Sequence, residues 1–218
     1  DNSMYASTIR DFVEKNHLNP STDGKWSFRD IFGTKAEADS YYNTPRTWYG
    51  QKLFNPSIEQ DPLSQEMPFI RKPEKKIGVE DVEFFLSSHY NGTEYDPMGS
   101  FASGDDKKQK MFRSIAFDRN QSSCILQIRN DVPKKIAGIQ WVNFGFYAYS
   151  PYVPFYTNID DTPLNYQTAS HMVTPESSAY WLYKSLQVLV EPRYHQLIYQ
   201  VENFRDECQR YADRCISA

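Results

Sequence analysis

The sequence predicts an α+β fold built around an antiparallel sheet. Residues 111–118, 123–129 and 136–146 read as three strands in quick succession, and turn-forming residues separate them. Before and after them the apolar residues recur at spacings of three and four, the period of helices. Neither face of the predicted sheet is wholly polar, so cover on both faces and a layered architecture are expected. The 218 residues suit a single domain over 1–218, helical over 3–90, sheet over 111–146 and helical again over 174–216.

Residues 3–17 read as a first helix, with Ile9, Phe12 and Val13 near one face and Asn19-Pro20 as its stop. A short turn of helix over 27–32 ends at Gly33. Thr34-Lys35-Ala36-Glu37 then has the form of a capping box. Thr44-Pro45 opens a helix carrying Trp48, Tyr49, Leu53 and Phe54, because proline suits the first helical position. Residues 56–78 contain four prolines and form a long excursion over the surface, with Met67, Phe69 and Ile70 as expected anchors. After Gly78, a helix with Val79, Val82, Phe85 and Leu86 on one stripe leads into the most unusual stretch of the chain.

That stretch is Ser87-Ser88-His89-Tyr90-Asn91-Gly92-Thr93-Glu94-Tyr95-Asp96-Pro97. Asn91-Gly92 and Asp96-Pro97 bend the backbone, and the stretch carries five titratable side chains: His89, Tyr90, Glu94, Tyr95 and Asp96. Such a loop is either a polar connector that caps its own turns or a functional loop; residue types alone favour the connector.

A polar loop over 99–110 precedes the strands. Within them Cys124, Leu126 and Ile128 oppose Ile125, Gln127 and Arg129, while Phe112, Ser114 and Ala116 oppose Arg113, Ile115 and Phe117. Residues 147–156, rich in tyrosine and bounded by Pro151 and Pro154, suit either a pocket wall or a rigid edge packed on the sheet. A helix starts at Thr174-Pro175 and runs to Glu191. The last helix, from Pro192, places Tyr194, Leu197, Val201, Phe204, Cys208, Tyr211 and Cys215 on a heptad seam made for a neighbouring helix.

Composition excludes several functions. The net charge of −4 and the lack of a basic stripe argue against nucleic acid as a partner. No apolar run approaches the ~20 residues of a membrane span. Cys124, Cys208 and Cys215 make no disulfide framework, so a reducing compartment, the cytoplasm, is expected. Asn91-Gly92-Thr93 and Asn120-Gln121-Ser122 match glycosylation acceptors, which carry no meaning in an intracellular or bacterial chain. The chain has no Gly-rich phosphate loop, no Gly-x-Ser-x-Gly and no His-Glu-x-x-His. Its histidines, His17, His89, His171 and His195, are scattered. His89 and Asp96, seven residues apart, are a thin basis for a metal site; neither metal nor cofactor is expected. All three cysteines read as small buried hydrophobes.

Other stretches carry a resemblance. Residues 9–20, then Phe28-Arg29-Asp30-Ile31-Phe32-Gly33-Thr34, then the block from Ser87 to Pro97, resemble the dipeptidase A-type cysteine dipeptidases of lactic-acid bacteria. Phe112-Arg113-Ser114-Ile115, Ile125-Leu126-Gln127-Ile128-Arg129, Gly138-Ile139-Gln140-Trp141, Val153-Pro154-Phe155-Tyr156 and Tyr180-Trp181 continue the match in the same order. That family belongs with the N-terminal-nucleophile hydrolases, related to bile-salt hydrolase and penicillin V acylase. The resemblance implies a four-layer αββα fold, in which two antiparallel sheets lie between helical layers. It also implies hydrolysis of short peptides by acyl transfer to a cysteine whose own α-amine is the base. The family's cysteine, its Arg-Asp pair and its oxyanion Asn lie upstream of everything matched here. The chain therefore reads as the C-terminal part of a larger enzyme, inactive without that part and prone to self-associate as a homo-oligomer or to pair with the missing N-terminal part. Arg113 is the best match to the family's later catalytic arginine, or else an inward charge paired in the sheet. Arg129 is the runner-up. His89, Tyr90 and Arg129 are the candidate substrate-binding residues. The alternative function is a non-catalytic binding module on the same fold.

Overall fold

The structure, a computed structural model, describes residues 4–34, 36–169 and 175–217. Twelve regular elements appear among them. Six helices come first: α1 Ile9–Lys15, α2 Phe28–Phe32, α3 Asp39–Tyr42, α4 Thr44–Phe54, α5 Val79–Leu86 and α6 Asp106–Gln109. Three strands follow: β1 Ser122–Ile128, β2 Gly138–Phe144 and β3 Val153–Tyr156. Three helices close the chain: α7 Leu164–Gln167, α8 Ala179–Val190 and α9 Tyr194–Ser217.

Local chemistry explains most helix starts. Ser27 caps α2 by accepting from the Asp30 amide, Pro45 occupies the first turn of α4, and Ser178 caps α8 by accepting from the Trp181 amide. At α5 the Asp81 carboxylate reaches back to accept from the Gly78 amide at 2.8 Å. The capping box expected at Thr34-Lys35-Ala36-Glu37 falls partly on Lys35, outside the described residues, as do His171 and the Thr174 helix start. The Thr34 hydroxyl instead donates to Asp39 in the first turn of α3, at 3.2 Å.

The strands form one antiparallel sheet in the order β1-β2-β3, with Ile125 opposite Trp141 and Trp141 opposite Pro154. Two of the three predicted strands are present, with trimmed ends. Residues 111–118 are not a strand. Their burial does alternate, Phe112, Ser114 and Ala116 being buried and Arg113, Ile115 and Phe117 half-buried. Yet their backbone pairs with other groups: the Ala116 amide donates to the Ser88 carbonyl at 2.8 Å, and the Arg113 carbonyl accepts from the Tyr90 hydroxyl at 2.7 Å. Alternation reports which side chains are buried, and a ladder needs a partner strand besides. The third strand comes from the tyrosine-rich segment, the sheet-edge reading of 147–156, where Pro154, lacking an amide proton, is tolerated.

Only one face of the sheet is covered by the described helices. Ile125, Ile139, Trp141 and Tyr156 pack against Val79 and Leu86 of α5 and Ala212 and Ile216 of α9. On the other face Leu126 and Ile128 are 71% and 79% exposed and Cys124 is open to solvent; Tyr166 of α7 covers only the Phe144 and Phe155 corner. The expectation of two covered faces is therefore corrected. Cys124 and Cys215 are exposed and Cys208 half-buried, which corrects their reading as buried hydrophobes.

The seam of α9 is also rotated from the predicted one. Tyr194, Leu197, Val201 and Cys208 lie on it, but Arg205, Ala212 and Ile216 replace Phe204, Tyr211 and Cys215, which are exposed. A straight helix drifts about 20° per heptad against a strict seven-residue repeat, so a seam drawn at that period leaves the buried face after two turns or so. In the excursion over 56–78 Met67 is buried, whereas Phe69 is 84% exposed. Hydrogen bonds anchor it instead, from the Trp48 indole to the Gln60 carbonyl, from Gln51 to the Pro68 carbonyl and from Arg29 to the Met67 carbonyl.

The two faces of the sheet should respond differently to substitution. In the 218-residue chain, Trp141→Ala is expected to lower the unfolding free energy by about 3–5 kcal/mol, as for other buried aromatics. Leu126→Ser on the open face should change it by no more than about 0.5 kcal/mol. Urea denaturation of the two variants measures both.

Candidate functional site

The loop from Ser87 to Pro97 is interior. Ser87, Ser88, His89, Tyr90, Thr93, Tyr95 and Asp96 are all buried, which is unusual for a loop whose backbone must find its own partners. It finds them locally. The His89 amide donates to the Asn91 side chain at 2.9 Å, the Thr93 amide and hydroxyl both donate to the Tyr90 carbonyl, and the Tyr95 amide donates to the Thr93 hydroxyl. Tyr90 and Gly92 take left-handed conformations with φ of 68° and 75°. Glycine does so freely. For tyrosine it is strained, and the surroundings must hold it there. They do so through the bond from its hydroxyl to the Arg113 carbonyl and through edge-on contacts with the rings of Tyr49 and Phe112, centroids 5.5 and 6.0 Å away.

At the centre lies a buried chain of three side chains. His89 Nδ1 donates to Asp96 Oδ1 at 2.7 Å, and the Met98 amide donates to the same oxygen at 2.9 Å. With Nδ1 carrying the proton, Nε2 of the neutral ring accepts from the Tyr194 hydroxyl at 3.3 Å. Burial by itself would raise the Asp96 carboxyl, but hydrogen bonds from His89, Ser100 and the Met98 amide outweigh it and hold the group below its ordinary value of 3.8. Burial pushes the Tyr194 phenol up to about 12, and the charges of Asp96 and Glu202 add to the shift. It lifts Tyr90 above the ordinary tyrosine range too. His89 also edges a small cavity of about 220 Å³ shared with Ser87, Ser88, Asn91, Glu202 and Arg205.

The structure gathers the sequence-predicted residues only in part. His89 and Tyr90 are neighbours, and Tyr90 touches the backbone of Arg113. The Arg113 guanidinium itself lies over two rings, its Cζ 4.0 Å from the centroid of Phe117 and 4.4 Å from that of Tyr42, with a buried Nε that has no partner among the described residues. Arg129 is elsewhere. It donates to the Ile216 carbonyl at 3.3 Å and so caps the far end of α9. The 24 residues of that helix span about 36 Å at ~1.5 Å each. His89 and Asp96 pair with each other, and no three His, Cys, Asp or Glu among the described residues converge on a metal position. Tyr194, 105 residues from His89, was invisible to sequence reasoning. Glu83 and Arg205 were overlooked although each interrupts an apolar stripe, the one visible signal of a buried charge.

Asp96→Ala leaves the buried His89 Nδ1–H without its acceptor and is expected to cost about 1–3 kcal/mol, the scale for an unsatisfied buried donor. Because folding lowers the Asp96 pKa, its contribution is fully present above the ordinary value of 3.8 and is lost as pH falls below it. Acid unfolding followed by circular dichroism should therefore show a slope below that pH in the wild type that Asp96→Asn flattens.

Comparison with known proteins places this geometry in a family. Residues 1–207 match peptidase family C69. Over 194 residues the chain is 47% identical to a protein of Latilactobacillus sakei described as a probable dipeptidase, covering 89% of this chain and 40% of that protein. It is 39% identical to dipeptidase A of Lactobacillus helveticus, with 89% and 40% covered. To a dipeptidase of Bifidobacterium longum it is 32% identical, over 99% of this chain and 42% of the relative. The chain thus spans about two fifths of the length of the relatives it matches. A match over nearly all of its residues is enough to assign it: the chain belongs to peptidase family C69.

Proposed function

We propose that this chain is part of a dipeptidase that hydrolyses short peptides by acyl transfer through a cysteine thioester. The observation that carries this reading is the C69 match over residues 1–207, supported by relatives described as dipeptidases. The nucleophile is supplied by polypeptide outside this chain. Among the three cysteines, Cys124 stands on the open sheet face, Cys215 is exposed, and burial raises the Cys208 thiol, which lowers its thiolate fraction. The open apolar face around Leu126 and Ile128 supports a second sheet stacked upon it, as in a four-layer αββα arrangement. Cytoplasmic location fits three unpaired cysteines, and no described helix is long and apolar enough to cross a membrane.

Within this reading the loop residues act as positioning groups. Both ring nitrogens of His89 are engaged, and the Tyr90 hydroxyl is spent on a backbone carbonyl, so neither is free to bind a peptide directly. Arg113 is the candidate that touches substrate. Its guanidinium is held close to two rings and can meet a carboxylate in bidentate fashion. Arg129 supports α9.

The full-length protein should release amino acids from a dipeptide panel and lose that activity on alkylation with iodoacetamide. Arg113→Met should lower kcat/KM about ten- to a hundredfold, the worth of a charged hydrogen bond. The 218-residue chain alone should be inactive. No hydrolysis by the full-length protein would favour a binding module on the same fold. Hydrolysis by this chain alone, abolished by Cys124→Ala, would place the nucleophile at Cys124.

A further inference from the structure

Away from the His89 loop, α5 and α9 flank a solvent-open cavity of about 620 Å³. Glu80 and Glu83 face it from α5, Tyr152 from the segment leading into β3, and Arg205, Asp206 and Asp213 from α9. Glu83 is only 8% exposed, and its Oε1 is fully buried and accepts no hydrogen bond from any described residue. A buried carboxyl oxygen without a donor is costly, and side chains in packed interiors rarely leave one so.

The charges around it are unbalanced toward the acidic. Four carboxyls, Glu80, Glu83, Asp206 and Asp213, line the space against two guanidiniums, Arg205 and Arg210. Arg205 is partly committed, since it donates to the Ala148 carbonyl at 2.7 Å and lies beside Glu202 and Asp206. Arg210 donates from Nε to the Asp206 carbonyl at 3.2 Å. Phe84, Pro151 and Tyr152 supply apolar wall. The acids are too spread out for a metal ion, because no three described ligating side chains converge.

We infer that the cavity between α5 and α9 is a binding site for an organic cation, a primary ammonium or a guanidinium on a short alkyl arm, with Glu83 as the group that receives its head. The arm lies along the apolar wall while Glu80 and Asp213 surround the positive end. Without a cation Glu83 is neutral near pH 7. Burial lifts its carboxyl to about 8, the Arg205 charge opposing and the charges of Asp213 and Glu80 adding. Asp213 is raised in the same way, by burial and by Glu80, although Gln209 donates to it. A cation that docks converts the Glu83 carboxylic acid to a carboxylate, and one proton passes to the buffer. Binding therefore strengthens as pH rises through the Glu83 pKa.

The test is isothermal titration of the full-length protein with n-butylammonium and n-butylguanidinium, in two buffers of different ionisation heat. Expected are saturable binding, proton release at pH 7, and tighter binding at pH 9. Glu83→Gln should abolish the proton release and weaken binding about tenfold at pH 9, the worth of one charged hydrogen bond. Asp213→Asn should weaken it less. If a basic side chain of the same polypeptide already fills the cavity, the added probes do not bind, and Glu83→Gln lowers Tm at pH 9. A carboxyl that is merely buried gives the opposite sign. Its raised pKa contributes stability only below the ordinary range and loses it as pH rises, so Glu83→Gln would then raise Tm at pH 9. The inference is overturned by probe binding without proton release, by equal binding to Glu83→Gln, or by absent binding together with an unchanged or raised Tm. None of these readouts involves peptide hydrolysis.

Discussion

The hydrogen-bonded chain Asp96–His89–Tyr194 is the constraint on which the rest of the structure depends. It fastens the turn after α5 to the first residue of α9. In doing so it holds together two hydrophobic clusters with little else in common. Tyr90 and Tyr95 of the loop belong to the cluster of Trp48, Tyr49 and Phe112, while Met98 and Tyr194 belong to that of Phe146, Tyr149 and Val201. An apolar pair in place of His89 and Asp96 would fill the same space, but it would leave the Met98 amide and the Tyr194 hydroxyl without acceptors. Directional bonds fix the angle at which α9 leaves, and close packing alone tolerates several angles.

The sheet inherits its asymmetry from that geometry. With α9 anchored at Tyr194 and capped by Arg129 near Ile216, the helix lies along one face and, with α5, covers it. Nothing of comparable length lies on the other face among the described residues. Leu126 and Ile128 are side chains of interior type on an outer surface, which is the condition for docking another layer.

Much of this was legible in the sequence, and the failures share a cause. Period-two patterning located β1 and β2, and turn and capping residues located α4 and α5, because those signals are local. Residues 111–118 misled because alternating burial arises wherever an extended segment lies between two layers, with or without a ladder. Glu83 and Arg205 were hidden by the convention that charged residues face water; a long aliphatic stem lets a charge sit within an apolar stripe. The loop announced itself by composition. The partner that makes it a structural joint is 105 residues away, and no period or motif reaches that far.

That separation has a consequence in time. Ribosomes add about 5–20 residues per second, so Tyr194 is made roughly 5–20 s after His89. Over that interval the loop's imidazole, carboxylate and phenols exist with α5 already made and α9 still absent. Burying His89 then would leave its Nε2 without the Tyr194 hydroxyl. The joint that orders the finished molecule cannot close before the first turn of α9 has been made.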